Sequence, residues 1–249
     1  MSDGPGPASP ADVDAVAHCF VDRCDDTCEV TGQDGHHLQR VRRLHVGEVV
    51  TAADGSGSWR PYLVAATRPG LLTLEACGDA RVEPVPAVSI AVAVALTKGG
   101  LESVVTAVTE LGATRVTPLR TERTVARWHE DKAEQALSRL RRNARAAAMQ
   151  ARRARVPEID HPVDVAAIAA RPDVVVADRD GRPASELVAP GSGVWTVVVG
   201  PEGGLSDDER AQLGAHPSLA LGPFVLRAST APVAAVAVLS ERITQLRHA

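Results

Sequence analysis

Hydrophobic positions follow two different patterns along the chain. Up to about residue 81, short runs such as CEVTG, GEVVTAADGSGSWRPYLVAAT and GLLTLEAC are separated by turn residues. Short runs of this kind, bounded by Gly, Asp and Ser, predict strands. Asp54-Gly55 and Gly57-Ser58 fit a hairpin turn between two of these strands. The first part of the chain therefore predicts a small β-rich domain.

Beyond residue 84 the rhythm changes. Strand-like runs that are apolar throughout, VSIAVAVAL, DVVVAD and VWTVVVG, alternate with helical segments, including a long helix predicted from about Asp131 to Ala154. Continuously apolar strands alternating with helices are typical of a mainly parallel sheet covered on both faces. The second part of the chain therefore predicts an α/β domain.

Proline, glycine and serine suggest the boundaries between these parts. Residues 1–15 have the composition of a disordered tail. Two prolines in Glu83-Pro84-Val85-Pro86 favour an extended linker. We therefore predict a tail at 1–15, a β-rich domain at 16–83 and an α/β domain at 84–249.

Composition narrows the function further. Of 249 residues 45% are hydrophobic and only 2% aromatic, so contacts to any nucleic acid would come from arginine and backbone groups more than from ring stacking. The N-terminus has no basic start, and the apolar run 88–96 is too short to span a bilayer. The four cysteines form no CxxC pair, which favours a reducing compartment and no metal site. We expect a cytoplasmic protein that does not act on membranes.

The stretch VVVGPEGGLSDDE, residues 197–209, breaks from a β-branched strand into a glycine turn. Ser206 and Glu209 form a capping-box pattern that predicts the start of a helix there. The stretch matches neither GxxxxGK[ST] nor GxGxxG, and its four carboxylates disfavour an anion. An adenine or ribose read by backbone groups, with a positive centre as in S-adenosylmethionine, suits it better. A tight turn before an acidic helix start is the other interpretation.

A second segment, LALGPFVLRASTAPVAAVAVL, runs from Leu219 to Leu239. A short strand reaches Gly222, an irregular piece carries Arg227, and a helix follows with Pro232 in its first turn, where a missing N–H costs little. Arg227 is either a surface arginine or a contact for a phosphate or a developing negative charge.

These two motifs resemble those of the ribosomal RNA small subunit methyltransferase E family, the 16S rRNA uridine-N3 methyltransferases of the SPOUT superfamily. GPEGG and LGPFVLRASTA are similar to its two cofactor loops. The likeness extends through GHHLQRVRRLHVGE, ALTKGG, TELGATRVTPLRTERTV and MQARRARVPEI, in the order of the family.

The resemblance implies a PUA-like β-barrel followed by an α/β domain with a C-terminal trefoil knot. It also implies a homodimer that uses S-adenosylmethionine to methylate N3 of a uridine in the decoding region of 16S rRNA. The substrate would be either 16S rRNA itself or the small ribosomal subunit that contains it. Loss of the uracil N3 proton would leave an anion on N3 and O4, and we assign the stabilisation of this charge to Arg227, with Arg123 in reserve as the second candidate catalytic residue. Carried over to this sequence, the cofactor-binding residues are Val199, Gly200, Pro201, Glu202, Gly203, Gly204, Leu221, Gly222, Val225, Leu226, Arg227 and Thr230. Gly203→Val is expected to block the cofactor sterically.

Arginines indicate where RNA would bind. Glu and Asp are absent from Leu137 to Pro157, although the stretch carries many arginines, which favours phosphate contact over a merely solvated helix face. With the arginines that follow the two histidines at 36–37, the predicted RNA-binding residues are His37, Arg40, Arg43, Arg145, Gln150 and Arg153.

Two other interpretations stay open. One is a SPOUT methyltransferase acting on another RNA site or on a ribose 2′-hydroxyl. The other is a non-catalytic RNA-binding assembly factor. Ser229, Met149 and Gly100, which depart from residues common in the family, are its best support.

Overall fold

The computed structural model describes residues 8–40, 42–97, 99–124, 128 and 130–247, without the side chains of Gln33, His37, Glu130–Lys132 and Arg247. Two compact units make up the chain. The first comprises the chain up to Val85 together with Ala148–Val156, and the second comprises Pro86–Ala147 with Pro157–Ala249.

The first unit is built on a six-stranded sheet. Its strands are β1 (Ala17–Phe20), β2 (Thr27–Val30), β3 (Val49–Ala53), β4 (Ser58–Arg68), β5 (Leu71–Ala76) and β6 (Arg81–Val82). The strand order is β1-β3-β4-β5-β2, with β6 paired to β4. Only β1 and β3 run parallel; the other pairs are antiparallel. A single helix, α1 (Gly32–Arg40), lies between β2 and β3 in the chain.

The predicted hairpin joins β3 to β4. One carboxylate oxygen of Asp54 accepts hydrogen bonds from the backbone N–H groups of Ser56, Gly57 and Ser58 at 2.8, 3.0 and 3.0 Å. Gly55 and Gly57 take φ values of +81° and +120°, which L side chains rarely adopt. The predicted small β-rich domain at the N-terminus is confirmed.

Residues 8–15, placed in the disordered tail by the sequence, have defined structure. A 3₁₀ turn at Pro10–Asp12 is capped by Ser9, and Ala15 is buried. Arg152 explains part of this order, because its guanidinium donates to the carbonyls of Val13 and Ala15 at 3.2 and 2.6 Å. Residues 1–7 of the predicted tail lie outside the described residues.

The segment 148–156 supplies part of the first unit's core. Ala148 and Ala154 pack in one buried cluster with Phe20, Ala53 and Trp59. The long predicted helix ends before this segment does: α3 spans Glu130–Gln150, and Arg152 takes a φ of +53°. The sequence therefore overestimated this helix by about one turn.

The second unit contains a seven-stranded sheet. Its strands are β7 (Ser89–Ala95), β8 (Arg115–Arg120), β9 (Glu158–Ile159), β10 (Val163–Asp164), β11 (Val174–Arg182), β12 (Val194–Val199) and β13 (Ser218–Leu219). The strand order is β10-β8-β7-β12-β11-β13, with β9 paired to β8. Every strand pair in this sheet is parallel, which confirms the predicted α/β fold. The remaining helices are α2 (Leu101–Glu110), α4 (Val165–Ala169), α5 (Asp207–Leu213) and α6 (Ala231–Arg247).

The central strands β7 and β12 are buried almost throughout, as their apolar runs predict for a sheet covered on both faces. The trefoil knot stays a prediction. Within the described part of the chain, no helix is long and apolar enough to cross a membrane.

His18 is a buried titratable group in the first unit. Its Nε2 lies 3.1 Å from the carbonyl of Arg153, which can only accept, so the proton is on Nε2 and Nδ1 accepts from the Thr51 hydroxyl at 2.8 Å. Burial lowers the pKa of His18 from 6.5 to about 4, and the nearby charge of Arg152 also lowers it.

This pKa predicts a specific loss of stability in acid. Above pH 6.5, His18 is neutral in both the folded and the unfolded chain and contributes no pH dependence. As the pH falls from 6.5 to 4 the unfolded chain binds a proton that the folded chain does not, which destabilises the fold by about 3 kcal/mol.

Urea unfolding of wild type and of His18→Gln at several pH values between 4 and 7 isolates this loss, because all other titrating groups are shared. We expect the variant to be less stable at pH 7 and its stability to fall less steeply with acid. Parallel pH profiles for the two proteins would contradict the assignment.

Candidate functional site

The glycine loop, residues 200–204, follows β12 directly. After it, Ser206 caps α5: its Oγ accepts from the Glu209 N–H at 3.4 Å, while the Glu209 carboxylate accepts from the Ser206 N–H at 2.8 Å. The predicted capping box is therefore confirmed. Gly204 has a φ of +72°, a conformation that glycine adopts without strain.

A second loop, residues 220–230, leads from β13 into α6. Gly222 has a φ of +137°. At the end of the loop, the carbonyl of Arg227 accepts hydrogen bonds from the N–H groups of Thr230 and Ala231, both at 2.9 Å. This turn fixes the backbone of Arg227 at the start of α6.

The two loops line a cleft of about 650 Å³ together with the end of β11. Its position follows from the sheet order, because β11 lies between β12 and β13 and all three run parallel. Their carboxyl ends meet at the same edge, where open α/β sheets bind ligands. A cleft of this volume suits a ligand the size of a nucleoside derivative.

The structure brings nine of the predicted cofactor residues together in this cleft. They are Val199, Gly200, Pro201, Glu202, Gly204, Leu221, Gly222, Val225 and Leu226. Gly203, Arg227 and Thr230 do not line it. Arg227 is exposed, and its neighbours Leu226 and Ala228 are lining residues.

The sequence missed the third wall of the cleft. Asp178, Arg179 and Asp180 line it from a bulge in β11, where the pairing with β13 shifts between Ala177 and Arg182. Arg210 also lines it, donating to the Leu205 carbonyl at 3.3 Å and lying 3.4 Å from an Asp178 oxygen. The sequence signal for this wall of the cleft is the change from apolar residues to Asp178, Arg179 and Asp180, because such a change marks the end of a buried strand.

The chemistry of this lining is apolar on one side and acidic on another. Val199, Leu221, Val225 and Leu226 offer surface for a flat heterocycle, whereas Asp178, Asp180 and Glu202 bring carboxylates. Exposed backbone groups of the two glycine-containing loops add hydrogen-bond donors and acceptors. The arrangement favours a ligand that combines an uncharged ring with a cationic group and disfavours a polyphosphate.

The expectation for Gly203→Val changes with the structure. A Cβ at Gly203 would stand 3.5 Å from the Arg123 Cβ, an ordinary van der Waals contact, and Gly203 does not line the cleft. A larger side chain there therefore meets Arg123 and not the ligand. Gly204 and Gly222, which line the cleft with positive φ, are the sensitive positions.

Arg123, the reserve catalytic residue, contacts the glycine loop from outside the cleft. It is exposed, and its guanidinium donates to the carbonyl of Gly203 at 3.0 Å. This contact holds loop backbone and gives Arg123 a structural partner.

The predicted RNA-binding residues fall into different settings. Arg40 and Arg43 are exposed in the first unit, where neighbouring Arg42 donates to the Gln150 side chain at 2.8 Å. The side chain of His37 lies outside the described residues. Arg145 and Arg153 are partly buried and interact with other residues, and burial lowers the pKa of Arg153.

Several other arginines of the predicted basic face have structural partners. Arg139 and Arg141 lie 3.8 and 3.9 Å from the carboxylates of Glu102 and Glu134. Arg155 packs its guanidinium over Gly57 and donates to the carbonyls of Ser56 and Glu83. Arg152 and Arg155 follow the end of α3 and donate to backbone carbonyls, so the arginines between Leu137 and Pro157 do not form a single helix face.

Comparison with known protein families shows which class of protein this chain belongs to. Residues 83–240 match a family described as the RNA methyltransferase domain, and residues 30–77 match the RNA methyltransferase PUA domain. These two matches, in this order, define an RNA methyltransferase with an N-terminal PUA domain.

Similarity to individual proteins identifies the family of RNA methyltransferases to which the chain belongs. The chain is 33% identical to ribosomal RNA small subunit methyltransferase E of Mycobacterium bovis, over 90% of this chain and 92% of that protein. It is 32% identical to the Synechocystis protein of the same name, over 86% of this chain and 73% of that protein. This chain belongs to the ribosomal RNA small subunit methyltransferase E family.

Solved structures share the fold. That of the Neisseria gonorrhoeae methyltransferase E bound to S-adenosyl methionine matches with a TM-score of 0.80 and 21% identity, covering 90% of this chain and 97% of that one. A Legionella pneumophila methyltransferase in complex with the same cofactor matches with a TM-score of 0.80 and 24% identity, covering 92% and 98%.

Proposed function

We propose that this rRNA methyltransferase transfers the methyl group of S-adenosylmethionine to N3 of a uridine in the decoding region of 16S rRNA. The observation that carries the proposal is the cleft between the glycine loop and the 220–230 loop. The family and the names of its relatives support the small-subunit rRNA as substrate. Under the same proposal, the enzyme acts in the cytoplasm.

The residues of the cleft fit S-adenosylmethionine. Val199, Leu221, Val225 and Leu226 would hold the adenine, and Gly204 and Gly222 let backbone approach the ligand without a side chain. The carboxylates of Asp178, Asp180 and Glu202 suit its positively charged groups. The solved structures that share this fold and are described with the cofactor bound support this assignment.

When bound, S-adenosylmethionine supplies a methyl group already activated by the adjacent sulfonium. The chain then has to align uracil N3 with that group and keep water out, and positioning of this kind contributes about 7 to 11 kcal/mol in good cases. Methyl transfer breaks the bond from sulfur to the methyl carbon, releases S-adenosylhomocysteine and requires the N3 proton to pass to a base, so negative charge develops on N3 and O4. The Arg227 guanidinium, exposed beside the cleft, stabilises that charge.

A group of exposed arginines in the first unit supports an RNA substrate. Arg40 is the last residue of α1, and Arg42 and Arg43 follow it. All three are exposed, and Arg42 donates a hydrogen bond to the Gln150 side chain. Clustered arginines bind phosphates through charge-assisted hydrogen bonds. We assign this group to the rRNA backbone.

A homodimer is part of the same proposal. Phe224 and Val225 are 78% and 81% exposed in the 220–230 loop. Large apolar side chains next to a cleft favour burial against another surface. A second copy of the chain would cover them and shield the cofactor from water.

Methylation of 30S subunits and of naked 16S rRNA with labelled S-adenosylmethionine tests the function, with the modified nucleotide mapped by mass spectrometry. We expect one N3-methyluridine in the decoding region. A methyl group on a ribose 2′-hydroxyl or at another site would identify a different RNA methyltransferase. Cofactor binding without transfer to any RNA would favour an assembly factor.

A further inference from the structure

We propose that Glu209 is a positioning residue that, together with Arg123, locks residues 121–124 to the glycine loop and so holds the cofactor cleft in shape. The inference rests on the proposed cofactor function of the cleft. It assigns to Glu209 a role beyond the capping box, and to Arg123 a role other than direct catalysis.

Glu209 is a buried carboxylate with two backbone partners. Only 8% of the residue is exposed. One of its oxygens accepts from the Ser206 N–H at 2.8 Å, and the other accepts from the Glu122 N–H at 2.8 Å. Glu122 is 87 residues away in sequence, so the second contact joins two separate loops.

Arg123 completes the connection in the opposite direction. The residue next to Glu122 donates from its guanidinium to the Gly203 carbonyl at 3.0 Å. Its aliphatic chain also lies along Gly203, close enough that a Cβ built there would stand 3.5 Å from the Arg123 Cβ. Residues 122 and 123 therefore hold both ends of the segment 203–209.

The sheet itself does not tie these loops together. Residues 121–124 follow β8 and the glycine loop follows β12, and β7 lies between these two strands. Two charge-assisted contacts across that gap fix the glycine loop relative to its neighbour before any ligand arrives. A preorganised loop avoids an ordering cost on binding, which strengthens affinity.

Glu209→Gln tests the role with little change of shape. An amide has one acceptor oxygen, and its NH₂ group would face a backbone N–H, so one of the two contacts is lost. We expect the Kd for S-adenosylmethionine, measured by calorimetry, to rise about tenfold. Asp208→Asn is the matched control: it removes the same charge from the same helix turn at an exposed position and should leave the Kd unchanged.

Arg123 variants test the other half. Arg123→Ala should raise the Kd severalfold, Arg123→Lys should restore part of the loss, and the double variant Glu209→Gln/Arg123→Ala should lose less than the product of the single effects. A purely structural role would lower the melting temperature without this pattern in the Kd. Equal affinity in Glu209→Gln and Asp208→Asn would overturn the proposal.

Hydrogen exchange separates this proposal from the proposed function. In the free protein the Glu122 amide should exchange at least tenfold faster in Glu209→Gln than in Asp208→Asn. If the wild type does not bind S-adenosylmethionine, the function of the cleft is wrong, and the exchange result alone decides whether the two loops are locked. Unchanged protection of Glu122 would refute the lock, whatever the ligand.

Discussion

Replacing Gly222 with valine is expected to abolish binding of S-adenosylmethionine. Gly222 lines the cleft with a φ of +137°, and among the described residues beyond its two chain neighbours none has an atom within 4 Å of the position a Cβ would take. The valine side chain would therefore enter the space proposed for the cofactor. Valine at this φ also adds backbone strain of about 1 to 3 kcal/mol. Calorimetry should show at least a hundredfold loss of affinity.

Gly203→Ala is the control for adding a side chain to a glycine outside the cleft. The added methyl group is smaller than the valine side chain and, among the described residues, meets Arg123 at ordinary contact distance. We expect its affinity to stay within twofold of wild type. Normal binding by a folded Gly222→Val protein would exclude the 220–230 loop from the cofactor site.

The second large effect is expected from Arg227→Ala. Removing one group that stabilises developing negative charge costs about 10²- to 10³-fold in kcat. Arg227 does not line the cleft, and its side chain is exposed, so the Kd for S-adenosylmethionine and the fold should not change. Single-turnover methylation of 30S subunits measures the rate.

Arg23→Ala provides the comparison for lost charge. Its side chain is 82% exposed in the first unit and pairs only loosely with Asp25, at 3.6 Å. We expect its methylation rate to equal that of wild type. If Arg227→Ala also retains full turnover, the charge on N3 and O4 is stabilised by another group.

Local chemistry explains which parts of the site the sequence could predict. The capping box at Ser206 and Glu209, the hairpin turn at Asp54 and the two glycine-containing loops are set by residues within a few positions of one another. These features were predicted from the chain alone. The parallel sheet followed from the apolar runs of β7 and β12 for the same reason.

Features set by tertiary contacts were not predictable in this way. Asp178 and Asp180 line the cleft only because β11 lies between β12 and β13, an order that no local pattern specifies. The Glu209 contact with Glu122 spans 87 residues. Arg152 and Arg155 belong to the arginine-rich stretch that predicts RNA binding, but their guanidinium groups donate to backbone carbonyls of the first unit.

The first unit is discontinuous in sequence, which limits how it can be produced apart from the second unit or exchanged between proteins. A gene fragment that stops at Val85 lacks Ala148 and Ala154 from the cluster around Trp59, and lacks Arg152, which binds the carbonyls of Val13 and Ala15. Such a fragment would expose a core that the whole chain covers. Exchange of the first unit between proteins would therefore have to move residues 148–156 together with the N-terminal part, and that segment lies within the sequence of the second unit.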